Sequence, residues 1–221
     1  MEKEKEITQL LEEKALMKQD VYSRTFETFN TFKEVIQEAL EEFREKIPNE
    51  RVRLKYEENG DFESLAYVGS DVLVFNMHTN IFSFPKENAV WKTSYIQNDD
   101  SRVYCGIINI YNFLADSFLH NRLNDAGYLI GRIFVNKENH FIVEGKGQLG
   151  FLFRDFLNGQ LTKEEMHKIL CVAIRHSVEF DLLTPPYEKV NIVNVMQIKA
   201  VSSAQQMKTG KRLGFRFEYE D

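Results

Sequence analysis

Residues 21–57 read VYSRTFETFNTFKEVIQEALEEFREKIPNERVRLKYE, and the change of period at Pro48 decides the fold. At 100° per residue, Tyr22, Phe26, Phe29, Ile36, Leu40, Phe43 and Ile47 fall on one side of a helix. Phe32, Val35 and Ala39 widen that stripe to half the circumference, more than a coiled-coil seam uses. Such a helix is expected to pack on the protein's own sheet. After Pro48, Arg51-Val52-Arg53-Leu54-Lys55-Tyr56-Glu57 alternates polar and apolar without error. That alternation marks a strand with one buried and one solvated face, as antiparallel sheets have.

Upstream, the same helical phase reaches back through Val21, Met17, Leu11, Leu10 and Ile7, and no glycine or proline occurs in the first 47 residues. One helix of that length spans roughly 60–70 Å, about twice the width of a small domain. It must bend, project or lie against another chain. Residues 1–20 are mostly Glu, Lys, Leu, Met and Ala with a thin stripe. They are open to three readings: a coiled-coil arm, a frayed lead-in, or a separate helix before one capped by Asp20. Ile7, Leu10, Leu11, Met17 and Val21 are the residues expected to meet a second copy or a protein partner.

Downstream, Glu58-Asn59-Gly60-Asp61 turns the chain into a second strand at 62–68. Further strands are expected at 72–75, 81–84 and 104–110, with a polar, loop-like stretch over 85–102 between the last two. Residues 111–123 fit a helical face through Tyr111, Leu114, Ala115, Phe118, Leu119 and Arg122. Strands at 128–135 and 140–144 form a hairpin around Asn136-Lys137-Glu138-Asn139. Thr162 and Glu165 make a capping box, with Leu161 and Met166 as a hydrophobic staple. That helix should run until Pro185-Pro186. Val190–Val201 and the alternating Leu213–Glu220 read as strands. The sum is an α+β fold: a mainly antiparallel, curved sheet packed by helices, with a long N-terminal amphipathic helix. Residues 1–47 form the helical segment and 48–221 one α+β domain.

The composition is that of a folded chain: 43% hydrophobic and 28% charged, with 18 Phe, 9 Tyr and 1 Trp. The aromatics read as core by area. Cys105 and Cys171 sit in apolar runs as free thiols, which points to the cytoplasm. No stretch approaches the ~20 apolar residues of a membrane span. A net charge of −6 opposes general nucleic-acid affinity. A basic C-terminal segment, Lys199, Lys208, Lys211, Arg212 and Arg216 beside Phe215, Phe217 and Tyr219, is the only feature that points to single-stranded nucleic acid. Glu218, Glu220 and Asp221 oppose that use.

No catalytic set assembles from the sequence. Gly145-Lys146-Gly147-Gln148-Leu149-Gly150 matches a dinucleotide-binding loop letter for letter. However, Asn158-Gly159 stops the following helix after two turns, and the preceding strand belongs to a hairpin. A glycine-bearing strand end is the better account. His167 and His176 lie on opposite sides of one helix, no histidines stand at i, i+4, and neither cysteine has a ligand at metal spacing, so no metal or cofactor is expected. Asn112, Asp116, His120 and Asn124 recur every four residues, and a helix would let the Asp116 carboxylate orient the His120 imidazole. Arg122, Asp125, His140, Glu144, Lys146 and Arg154 surround them in sequence. This is where a ligand site is expected if the chain has one, in a pocket between sheet and helices. The leading expectation is a non-catalytic interaction or self-association module.

Overall fold

A computed structural model describes residues 2–181 and, beyond them, residues 186–189, 191, 192 and 195. The chain opens as helix α1 (Glu2–Leu10), makes one π turn over Leu11–Ala15 and continues as α2 (Leu16–Lys46). No helix breaker interrupts it, and Pro48 enforces its end: the Ile47 N–H still reaches the Phe43 carbonyl at 2.9 Å before the backbone leaves the helical region. The single phase expected along this helix is broken by the π turn, where the Leu16 N–H bonds the Leu11 carbonyl five residues back. A π turn takes more residues per revolution, so the stripe before it is rotated away from the face that follows.

Six strands form one open antiparallel meander in chain order: β1 (Leu54–Glu58), β2 (Glu63–Val68), β3 (Asp71–Ser83), β4 (Tyr104–Leu114), β5 (Tyr128–Asn136) and β6 (Phe141–Gly145). Register shifts in the β3–β4 and β4–β5 pairings bend it. Several boundaries differ from the sequence expectation. β1 starts at Leu54 and not at Arg51, because Asn49 takes the Val52 N–H on its carbonyl and the Arg51 N–H on its side chain, making a turn. β3 is one strand of 13 residues where two were expected. The stretch 85–102 contains short helical turns at Ala89–Lys92, α3 (Ser94–Asn98) and Asp100–Val103, anchored by buried Val90, Ile96 and Val103.

The helix expected over 111–123 is divided: residues 111–114 end a strand, 115–119 are helical and 120–123 lie in the loop that follows. Tyr111, Asn112 and Phe113 pair with Val74, Leu73 and Val72 as the end of β4, and only α4 (Ala115–Leu119) is helical. Long-range pairing with β3 overrides the local 3.6-residue pattern. After α5 (Leu149–Leu152), α6 (Lys163–Val178) begins as expected, with the Thr162 hydroxyl accepting the Glu165 N–H at 3.3 Å. The box is half made, since the Thr162 N–H bonds the Gln160 carbonyl. α6 ends at Val178, short of Pro185.

α2 and α6 cover one face of the sheet. Phe29, Phe32, Ile36 and Leu40 meet Phe75, Ile108, Ile110 and Ile133, with Phe32 edge-on to Phe75 at 5.2 Å. Where α2 crosses β4, Thr25 lies so close to Gly106 that a Cβ there would sit 2.1 Å from its hydroxyl. The β6 border of the sheet is occupied, and the β1 border is covered at its first residue. On β6 the outward N–H groups of Phe141 and Val143 bond the carbonyls of Gly159 and Phe153 at 3.1 and 2.9 Å. On β1 the Leu54 carbonyl accepts the Arg44 guanidinium at 2.6 Å. Of the strand expected at 190–201 only residues 191, 192 and 195 are described, and the one at 213–220 lies outside the described residues, as do all the basic residues of the C-terminal segment. Among the described residues no helix is long and apolar enough to cross a membrane.

Candidate functional site

Three places bear on function: the N-terminal arm, the polar cluster expected from sequence, and the sheet face opposite the long helices. On the arm, every residue from Lys3 to Leu16 is exposed. Ile7, Leu10 and Leu11 are 56%, 55% and 61% exposed, and Leu16, not singled out from sequence, is 60%. The expected interaction set therefore divides. Met17 is half-buried in a small cleft with Phe84, Trp91 and Tyr104, and Val21 is fully buried. The arm meets the domain at Lys14, whose ammonium stands 6.0 Å from the Tyr104 ring centre. Val21 belongs to the protein's own interior, because α2 already lies over the sheet one turn later at Thr25.

The polar cluster does not converge. The helix that would carry its four-residue period is only five residues long: Asn112 lies in the strand before it, Asp116 in its first turn, and Asn124 in the loop beyond. Asn112 is buried in β4, its Oδ1 without a hydrogen-bond partner. Asp116 and His120 are both exposed, joined by the His120 N–H on the Asp116 backbone carbonyl at 3.0 Å. Arg122 and Asn124 lie in the loop after α4, half-buried and exposed. His140 stacks on Tyr95 at 4.5 Å with its Nδ1 3.0 Å from the Phe156 carbonyl. Lys146 is exposed past the end of β6. Of the eight residues only Glu144 lines the cavity described next. The glycine loop is a backbone contact: Gly145 ends an antiparallel strand, and a Cβ on Gly150 would lie 2.2 Å from the Gly145 carbonyl oxygen. The following α5 has four residues.

That cavity, about 960 Å³, lies on the second face of the sheet. Register builds it row by row. Asn76, Asn109, Arg132 and Glu144 are successive partners across β3 to β6, a polar row. One pleat away run His78, Ile107, Phe134 and Ile142. On the other side Val74 pairs with Tyr111 in a separate apolar cluster. The polar row thus lies between two apolar patches. The 84–103 segment closes the groove as a wall carrying Phe84 and Val90, joined by Phe156.

Its polar groups are held in place. Arg132 Nε donates to Glu144 at 3.0 Å, with the guanidinium 5.5 Å from the Phe134 ring. His78 Nδ1 accepts the Asn80 N–H at 3.0 Å, which puts the proton of the neutral ring on Nε2. Asp155 accepts from the Asn158 side chain and from the Leu157 and Asn158 N–H groups, and these bonds hold its carboxyl below the usual range. Arg154 Nε donates to the Gly150 carbonyl.

A belt of polar bonds fixes the wall to the β5–β6 turn. Asn136, fully buried, donates to the Tyr95 hydroxyl at 2.8 Å and accepts the N–H groups of Glu138 and His140. Burial alone would raise Glu138; hydrogen bonds from Tyr95 and Arg102 outweigh it and hold its carboxyl low. Ser101 and then Lys137 bring Asp99 down to about 2.

Sequence reading missed Asn109, Arg132 and His78, because isolated polar residues in strands gain meaning only through register. It also missed His167 with Cys171, one turn apart on α6 with Sγ 3.7 Å from Nδ1. Burial and then Glu42 raise that thiol's pKa. Among the described residues no three His, Cys, Asp or Glu side chains are grouped to hold a metal. Compared with known proteins, the chain matches no family model, no curated protein and no solved structure.

Proposed function

We propose that the protein acts by association rather than catalysis, as an interaction module whose N-terminal helix pairs with that of a second copy. The observation that carries this reading is the exposure of Ile7, Leu10, Leu11 and Leu16, all between 55% and 61%, on a helix that later buries Phe29, Phe32 and Ile36 completely. Exposed leucines scattered singly are ordinary; a stripe of them along three turns is a patch. The π turn beneath the stripe adds weight, since such turns collect at functional sites. Two free thiols, Cys105 buried and Cys171 half-buried, suit the reducing cytoplasm in which we place the protein.

Magnitudes decide what kind of association this is. Fully burying such a side chain contributes roughly 1.5–3 kcal/mol, so covering the exposed halves of four on each of two chains yields about 8 kcal/mol gross. Lost translation and rotation cost at least about 4 kcal/mol. The balance describes a reversible pair that forms with concentration, not an obligate dimer.

Sedimentation equilibrium from about 0.1 to 2 mM, a range that straddles the roughly 1 mM dissociation constant this balance implies, is the test. The wild-type chain is expected to gain mass with concentration, and the triple variant Ile7→Glu/Leu10→Glu/Leu11→Glu to stay at 26.0 kDa. A wild-type chain at monomer mass across the whole range overturns the pairing.

A further inference from the structure

We infer that the groove on the second face of the sheet is a binding site for a small amphipathic anion: a carboxylate carrying an apolar body of medium-chain fatty-acid size. This does not rest on the association of the arm. The first support is capacity. About 960 Å³ lies at the upper end of the range that small-molecule sites occupy, roughly 300–1,000 Å³. The second is the apolar part of the lining. Ile107, Phe134 and Ile142 form the floor, Phe84 and Phe156 one wall, and Phe82, Leu129 and Leu157 remain 37–38% exposed at the mouth. Those rings and branches gain burial only from something that enters the groove.

The sign of the ligand's charge follows from how the lining's charges are already used. Arg132 is neutralised by Glu144. Asp155 is engaged by three donors of its own turn. Arg154 uses Nε on the Gly150 carbonyl and has no carboxylate partner among the described residues. Asp155 keeps its charge, so the four ionised side chains of the lining sum to zero, but Asp155 is bonded within its own turn while the Arg154 guanidinium is bonded to no carboxylate among the described residues. Asn109 is 8% exposed, sits in the middle of the polar row, and its amide has no hydrogen-bond partner among the described residues. Its amide atoms are not sealed from solvent, so a ligand head entering the groove can replace water on them. The His78 Nε2–H adds another donor. A guanidinium without a carboxylate partner among the described residues, with further polar donors along the same groove and an apolar floor, suits a head and body of opposite character on one molecule. A cationic head would meet Arg154 with like charge, and a neutral one would form no charge-assisted hydrogen bond of the salt-bridge kind with it.

Decanoate, decanol and decylammonium share a body and differ in the head, so titrating each into the full-length protein isolates the charge. Isothermal calorimetry gives stoichiometry and affinity. Fluorescence of the one tryptophan, Trp91, whose indole N–H donates to the Phe84 carbonyl at 3.0 Å, reports on the groove wall independently. Decanoate is expected to bind once per chain, about tenfold or more tighter than decanol or decylammonium, as one charged hydrogen bond requires. Arg154→Gln should bring decanoate down to the level of decanol, and Arg154→Lys should keep most of the preference. Arg154 is exposed, so both variants should fold, and their thermal unfolding checks that. No saturable decanoate binding below about 1 mM, or equal affinity for all three heads, overturns the inference. So does a preference for decanoate that Arg154→Gln leaves unchanged.

Discussion

At the scale of single residues, space and charge decide more than identity. A methyl group on Gly106 has nowhere to go: it would meet the Thr25 hydroxyl at 2.1 Å and the Thr25 Cγ2 at 2.6 Å, both inside the core. Gly106→Ala should therefore cost about 1–3 kcal/mol in urea unfolding, and Thr25→Ala made together with it should recover part of the loss. Asp99 is the clearest charge. Its carboxyl, held at about 2 by Ser101 and Lys137 against an ordinary value of 3.8, is depressed in the folded state. Its contribution is present above pH 4 and is lost as the pH falls from there through about 2. Asp99→Asn should lower stability near neutrality by about 1 kcal/mol, discounted for the solvent around it, and flatten the pH dependence between 4 and 2 in thermal scans. Such residues were partly legible. Cys105 read as a buried thiol from its apolar run, and burial does push its thiol up. The four-residue spacing of Asn112, Asp116, His120 and Asn124 suggests one helix, but β3 takes the stretch up to Leu114 and the helix after it is only five residues long.

At the scale of elements, the features legible in sequence were those with short-range causes. The cap at Thr162, the β5–β6 hairpin and the helix end at Pro48 each depend on residues within a few positions, and each stands where it was expected. Elements that depend on distant partners were not legible. β3 was divided at Asn76–Asn80 because those polar residues look like a break, yet pairing with β4 carries one strand through them with a register shift. The wall at 84–103 looked like a loop because its turns are too short to show a period, and Asn136, Tyr95, Glu138 and Arg102 hold it from the far side of the sheet. The short-range cause can be checked directly. Thr162→Ala should cost about 1 kcal/mol, or roughly 2–4 °C of melting temperature for a chain of this size, while Thr162→Ser should be close to neutral.

At the scale of the whole molecule, one face of the sheet is filled by α2 and α6 and the other holds a partly open groove, while the arm leaves the domain altogether. The architecture was readable because two periodicities meet at Pro48; the groove was not, because it exists only once four strands are in register. Since Ile7, Leu10 and Leu11 bury little within the chain, replacing all three with Glu should leave the melting temperature of a dilute sample unchanged. The wild-type melting temperature should rise with protein concentration and the variant's should not, which differential scanning calorimetry at two concentrations would reveal. The unequal borders of the sheet carry a separate consequence. An outside strand seeking to prolong the ladder finds Gly159 and Phe153 already seated along β6, and along β1 an arginine clasping the first carbonyl. Growth of native subunits from strand to strand is thereby blocked along β6 and left to β1, so Tyr56→Pro should suppress any such growth while a change near Gly159 should not.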